Sequence, residues 1–230
     1  MQVYKQKELE NVLNGMTSIL MNNHPKKNKI PDEVREFLQC AYSLFSSWNG
    51  KLIPLLTGTY DADKFWPVFV DFLNECENGS WSQMARHKSE IEKYKTQLFS
   101  SIEQLLSTRA DLDKTVGIME SVTENSSPKK IAGVTPFILS GILFASDEDN
   151  FMILDNPVLE YFDLKDYREA LSEYRNIIDI SRSYSKKFKL SMWYINKAYG
   201  ILSHDGELAV KKFCGNCRSM KSKNFVYSFG

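Results

Sequence analysis

The chain has 230 residues, and its 29 lysines and arginines balance 29 aspartates and glutamates. Hydrophobic residues make up 43% of it, and 11 glycines and 7 prolines are too few for a fibrous or disordered chain. No apolar run approaches the roughly 20 residues that a bilayer span needs, and the start shows no secretory pattern, so we expect a cytoplasmic protein without membrane contact. The zero net charge argues against wholesale coating of nucleic acid but is compatible with a local basic face.

Apolar residues recur at helical spacing through the first half of the chain. The opening stripe consists of Leu9, Val12, Leu13, Met16, Ile19 and Leu20. A second helix is predicted from Pro31 to Trp48, because proline suits the first turn of a helix. Residues 51–61 are the one stretch that could be extended. An aromatic helix over 65–73 and one long helix from the cap Ser80 to Leu106 are expected next.

The second half is also helical. The pattern predicts a helix over 109–124, an apolar helix from Pro136 through Phe144, a short buried run at 151–154 and two helices within 164–203. No strand pattern is strong enough to build a sheet. We therefore predict an all-α fold, a multi-helix bundle with a helix-hairpin-helix element in its C-terminal half.

Three regions are expected along the chain. Residues 1–108 form an N-terminal helical lobe, residues 109–205 a helix-hairpin-helix-like lobe, and residues 206–230 a basic aromatic tail. From Leu208 to Gly230 all the charged side chains are basic: Lys211, Lys212, Arg218, Lys221 and Lys223. Basic residues among aromatics suit phosphate contacts and base stacking, although a solvated tail or linker has the same composition.

The most informative segment is the loop Lys129–Pro136. Gly133 can take a positive φ and lets another backbone approach closely, while Pro136 suits the first turn of the next helix. The unpaired amides of that turn would lie at the positive end of the helix dipole, where phosphate binds without a readout of sequence. The alternative is a tight helix–helix turn with two solvated lysines. The candidate nucleic-acid-binding residues are Lys129, Lys130, Gly133, Val134 and Thr135.

This loop and the segments after it resemble the helix-hairpin-helix element of the base-excision DNA glycosylases. The resemblance rests on residues 130–136, 139–144 and 150–155, with Asp155 placed like the aspartate of that family's Asp-x-x-Val. The second glycine of the family's hairpin is Thr135 here, and its amine nucleophile would be Phe137. The iron–sulfur cysteine set of some members is absent. Because Phe137 has no amine, a Schiff-base lyase mechanism is disfavoured at this position.

Residues 110–203 also resemble a helical module of McrB-like restriction and defence proteins. Phe144–Val158 is similar to that module's aromatic segment ending in Asp-x-x-Val, and Asp166–Tyr174 and Leu190–Tyr194 resemble the helices that follow it. This resemblance implies a domain that binds double-stranded DNA in an antiviral, modification-dependent restriction system. Recognition of a modified base would be a further step. The chain has no Gly-x-x-x-x-Gly-Lys-Ser/Thr loop, so an associated motor and nuclease are expected elsewhere.

Two other functions are kept open. Asp155 would be the acid/base of a monofunctional glycosylase, but a cap for the next helix is the favoured interpretation, because a helix that starts after a buried run needs such an acceptor. A helical protein-interaction module is the second alternative. No catalytic activity is expected in the chain itself under the DNA-binding interpretation.

No metal or cofactor is expected. Cys214 and Cys217 have the spacing of half a zinc site, and the scattered Cys40, Cys76 and His204 would have to complete it. His24 and His87 are isolated, so the sequence indicates no catalytic triad. The tryptophans at 48, 66, 81 and 193 lie on apolar stripes and are interpreted as core residues. A basic cluster is interpreted as the solvent face of a helix end: Arg182, Lys186, Lys187 and Lys189.

Overall fold

A computed structural model of the protein describes residues 2–21, 62–75 and 88–203. Within these ranges the chain forms ten α-helices and no strand, which confirms the all-α prediction for this part. The helices are α1 (Gln2–Met21), α2 (Ala62–Glu75), α3 (Lys88–Glu92), α4 (Lys95–Ser107), α5 (Leu112–Thr123), α6 (Pro136–Ser146), α7 (Asn156–Tyr161), α8 (Tyr167–Ser172), α9 (Tyr174–Phe188) and α10 (Met192–Leu202). Of these helices, none combines the length and apolar character needed to cross a bilayer.

Several predicted elements lie outside the described residues. They are the helix at 31–48, the extended stretch at 51–61 and the tail at 206–230. Of the helix predicted from 80 to 106, the structure describes residues 88–106. They form two helices, so the prediction of one uninterrupted helix is wrong there. The chain turns between α3 and α4, with the Tyr94 amide donating to the Ile91 carbonyl at 2.9 Å. Ile91 before the turn and Leu98 after it are both buried, so the apolar stripe continues across the turn. The apolar period therefore did not reveal the break in the helix.

Helix α6 forms the centre of one half of the core. Pro136 and every residue from Ile138 to Ala145 are buried, because this helix is apolar on all its faces. It packs against α4, α5 and α8, so that helices surround it. The loop of residues 124–135, called the hairpin below, therefore connects a surface helix, α5, to the most buried helix described. That it belongs to a helix-hairpin-helix element stays a prediction.

Helix α10 forms the centre of the other half. Its side chains Trp193, Ile195 and Tyr199 are fully or almost fully buried, and the helix packs against α1, α7 and α9. The Tyr199 ring lies 4.5 Å from the ring of Tyr161 on α7, measured between centroids. This contact helps to hold α7, and with it Asp155, beside α10.

An irregular buried segment joins the two halves. Residues 151–154 are buried outside any helix, so their main-chain polar groups need partners from elsewhere. The Tyr174 hydroxyl donates to the Met152 carbonyl at 2.7 Å, the Leu154 amide donates to Ser140 Oγ at 2.9 Å, and Asn196 Nδ2 donates to the Ile153 carbonyl at 3.4 Å. Three helices thus hold this segment by side-chain hydrogen bonds, as buried polar groups require.

Helix α1 packs across the C-terminal helices. Leu9 and Leu13 are fully buried, Lys5 forms an ion pair with Asp163 at 2.5 Å, and Glu10 forms one with Lys187 at 2.8 Å. The hydrophobic core therefore contains residues from both predicted lobes. The boundary at 108 stays a prediction.

Candidate nucleic-acid interface

The hairpin between α5 and α6 is closed by two main-chain hydrogen bonds. The Ile131 amide donates to the Val122 carbonyl at 2.9 Å, and the Val134 amide donates to the Ile131 carbonyl at 3.1 Å. The second bond closes a four-residue turn in which Gly133 has a φ of 84°. A positive φ at that position of a turn favours glycine, because a side chain would be strained there.

The hairpin has a buried side and an exposed side. Ile131 is fully buried and Val134 is 4% exposed, whereas Ala132 is exposed and Gly133 and Thr135 are half-buried. The two apolar side chains anchor the loop to the core, so the tip of the turn faces solvent. The hairpin is a surface feature.

The main-chain amides of the hairpin differ in what they bind. The Val134 amide closes the turn, and the Ile138 amide donates to the Thr135 carbonyl at 3.0 Å. The Gly133 and Thr135 amides donate to no acceptor in the described part of the chain. Thr135 caps α6 with extended backbone angles and makes no side-chain capping bond. Two amides beside the positive end of α6 are thus available to an anion, and that of Val134 is not.

The two lysines also differ. Lys129 is exposed, its amide donates to Ser127 Oγ at 3.1 Å, and its ammonium forms no ion pair with any described residue. Lys130 is half-buried and donates from Nζ to Asn125 Oδ1, an uncharged acceptor that leaves its positive charge in place. Among the described residues, the Lys130 amine therefore has a side-chain hydrogen-bond partner and the Lys129 amine has none.

Helix α4 supports the hairpin through Gln97. The side-chain amide of this residue donates to the main-chain carbonyl of Lys129. Gln97 could not be predicted as part of the site, because nothing in its local pattern connects it to a loop 32 residues later.

The other flank of the hairpin is acidic. Glu124, at the end of α5, forms an ion pair with Arg168 of α8 at 3.3 Å. The charged residues around this cleft are Glu120, Glu124, Asp166, Glu169, Lys165 and Arg168. Four carboxylates against two cations repel phosphate, so a nucleic acid strand would have to approach from the side of Gln97 and Lys129.

Asp155 occupies the N-cap of α7, where one oxygen accepts the Val158 amide at 3.1 Å. This contact is the capping role predicted for it. Burial raises the pKa of the Asp155 carboxyl, although the charge of Lys197 and hydrogen bonds from Val158 and Asn196 act in the opposite direction. A role for Asp155 in base excision stays a prediction.

The remaining sequence candidates fall into two groups. Trp66 and Trp193 are buried in the core, and in the basic cluster Arg182 donates to Asn150 while Lys187 pairs with Glu10. Several candidates lie outside the described residues: Cys40, Cys76, Cys214, Cys217, His24, His87, His204, Trp48 and Trp81. Within residues 2–21, 62–75 and 88–203, no cluster of histidine, cysteine, aspartate or glutamate is suited to a metal ion.

Comparison with protein-family models, with curated proteins and with solved structures gives no match for this chain.

Proposed function

We propose that this protein is a DNA-binding module, and that the hairpin grips a phosphate of the duplex backbone. The amides of Gly133 and Thr135 would donate to the phosphate oxygens, and Lys129 would add its charge from the same loop. Such contacts position a protein on DNA without reading its sequence. The resemblance to McrB-like recognition domains supports an assignment to an antiviral restriction system, with the motor and nuclease in associated chains.

One observation carries the proposal. The turn tip is exposed at the start of α6 while two of its amides have no acceptor in the described structure. Main-chain donors of this kind are normally paired or hydrated. A phosphate oxygen can accept hydrogen bonds from them, and the dipole of the helix also attracts its negative charge. The Lys129 ammonium can join them without first breaking a hydrogen bond to a described residue, whereas the Lys130 amine donates to Asn125 Oδ1.

The test is the affinity for duplex DNA measured as a function of salt. We expect Lys129→Glu to weaken binding more than Lys130→Glu, because the Lys130 amine is held by Asn125. The double variant should weaken it most. The slope of log K against log salt should become shallower by about 0.9 for each phosphate that the variant no longer neutralises.

Lys165→Glu is the matched control. It makes the same change in charge at another exposed lysine, but in the acidic cleft between α5 and α8. It should leave the affinity close to that of the unmodified protein. Equal affinities for the double variant and the unmodified protein would remove the hairpin from the binding site. If neither duplex nor single-stranded DNA binds at low salt, a protein-interaction module replaces this proposal.

A further inference from the structure

A cavity of about 680 Å³ lies between the turn from α4 to α5, the connection from α6 to α7, and one face of α9. Small-molecule sites typically have volumes of about 300–1,000 Å³, so the cavity is large enough for a ligand. It opens to solvent, since several of its lining residues are exposed. The charged residues of its lining are Arg109, Asp111, Asp147, Arg175, Asp179 and Arg182.

The cavity is separate from the hairpin. It lies where α5 begins and α6 ends, whereas the hairpin joins the end of α5 to the start of α6. Helix α5 has 12 residues, so the two places are roughly 18 Å apart along it. A ligand in the cavity would therefore not occupy the proposed phosphate site.

One wall of the cavity is held by Arg182. Its Nη2 donates to the main-chain carbonyl and to Oδ1 of Asn150, both at 2.9 Å. The side-chain amide of Asn150 donates in turn to the two carboxylate oxygens of Asp147, at 3.0 and 2.9 Å. The charges of Arg182 and Asp147 thus have hydrogen-bond partners within the protein and fix the connection from α6 to α7.

Two further charges of the lining pair with residues beside the cavity. Asp111 forms an ion pair with Lys114 at 2.9 Å, and Arg175 forms one with Asp113 at 2.8 Å. These two side chains therefore do not need a ligand to balance their charge.

Arg109 and Asp179 are the two charges of the lining that remain open. The Arg109 guanidinium is exposed and donates to no acceptor in the described part of the chain. The Asp179 carboxylate accepts no hydrogen bond from a described residue, and its ion-pair partner among them is Arg182 at 3.8 Å. That distance is too long for a hydrogen bond. The cavity thus offers a donor group for an anion and an acceptor group for a cation.

We propose that this cavity binds a free amino acid with an apolar side chain. The ligand carboxylate accepts hydrogen bonds from Arg109, because the parallel N–H donors of a guanidinium match a carboxylate. The ligand ammonium donates to Asp179. Leu112 and Phe151 also line the cavity and provide apolar surface for the ligand side chain. A ligand with one charge would leave either Arg109 or Asp179 without a partner, so a zwitterion fits the lining better.

The test is a titration of the full chain, without DNA, followed by the amide resonances of Leu112 and Asn150 in nuclear magnetic resonance spectra. The probe is L-leucine, and two analogues each lack one charge. 4-Methylpentanoate has no ammonium group, and L-leucinamide has a neutral amide in place of the carboxylate. The titrations are made slightly below neutral pH, where the leucinamide amine stays protonated.

We expect saturable shifts with L-leucine and an affinity at least about threefold higher than for either analogue, because each analogue loses one exposed charge pair. The absence of saturable shifts up to the solubility limit of L-leucine would overturn the proposal. Equal affinity for L-leucine and one analogue would overturn the pairing with the charge that this analogue lacks.

Two variants test the residues. Arg109→Gln and Asp179→Asn should each weaken L-leucine binding at least about threefold. Arg109→Gln should also lose the preference for L-leucine over L-leucinamide, and Asp179→Asn the preference over 4-methylpentanoate. Arg168→Gln is the matched control, since this arginine lies in the acidic cleft and pairs with Glu124, and it should leave the affinity unchanged. An unchanged affinity in Arg109→Gln or Asp179→Asn, with unchanged circular dichroism, would overturn the role of that residue.

Discussion

The side chain of Gln97 on α4 donates a hydrogen bond to the main-chain carbonyl of Lys129 in the hairpin. This bond joins two elements that are 32 residues apart in the chain. It connects the Lys129 backbone to α4, and so adds to the main-chain bonds that hold the loop carrying the charge of that lysine.

Gln97→Ala should weaken DNA binding several-fold, because the loop loses its attachment to α4. Removal of the hydrogen bond should lower the free energy of unfolding by about 1 kcal/mol. Gln104→Ala is the matched control, since Gln104 lies on the same helix but donates to Ser100 within it. DNA titration and urea unfolding measure both variants. Identical affinities for the two would show that this bond does not support binding.

Gly133→Ala should destabilise the protein by roughly 1–2 kcal/mol, because alanine is strained at a φ of 84°. It should also weaken DNA binding by displacing the turn amides. Gly117→Ala in α5 should act in the opposite direction and stabilise by about 0.5–1 kcal/mol. An added Cβ at Gly117 has no heavy atom within 4 Å, and the residue is helical. Urea unfolding of both variants checks the opposite signs.

Tyr174→Phe should destabilise the protein by about 1–3 kcal/mol, because it leaves the buried Met152 carbonyl without its donor. The comparison is Tyr94→Phe, which removes a hydroxyl from a residue that is 40% exposed and should change stability by less than about 0.5 kcal/mol. Thermal and urea unfolding provide the measurement. A destabilisation as small as that of Tyr94→Phe would mean that the segment at 151–154 does not depend on this bond.

Two N-cap aspartates should give opposite dependences of stability on pH. The pKa of Asp155 is raised by burial, so the folded state binds its proton more tightly than the unfolded chain does. Stability should therefore fall as pH rises from the ordinary value of 3.8 through the folded pKa. Asp155→Asn should lose this decline, so its stability relative to the unmodified protein should increase across that range.

Asp111 caps α5, and its pKa is lowered by the Lys114 side chain first and the Lys114 amide second. Its contribution to stability is present above 3.8 and is lost as pH falls through the folded pKa. As pH rises from the folded pKa to 3.8, the unmodified protein gains this contribution and Asp111→Asn does not. The variant should therefore become less stable relative to the unmodified protein over that range. Urea unfolding between pH 3 and pH 7 separates the two windows. The same direction of change in both variants would contradict the assignment.

Most of the described helices follow from the amino-acid sequence, because each buries a stripe or a whole surface that repeats at the helical period. The positive φ of Gly133, the first-turn position of Pro136 and the cap at Asp155 were also predictable, since these depend on residues within one turn. The turn at Tyr94 was not, because the apolar period runs through it unchanged.

Which residues meet depends on how the helices pack. No local pattern in the sequence predicts three of the pairs that meet: Gln97 with Lys129, Tyr174 with Met152, and Lys197 with Asp155. The two members of each pair lie on separate elements, which meet because their apolar faces are buried together. The same packing placed acidic residues on one flank of the hairpin. Periodicity reports which face of a helix is buried, but the partner of that face depends on the shape of the whole core.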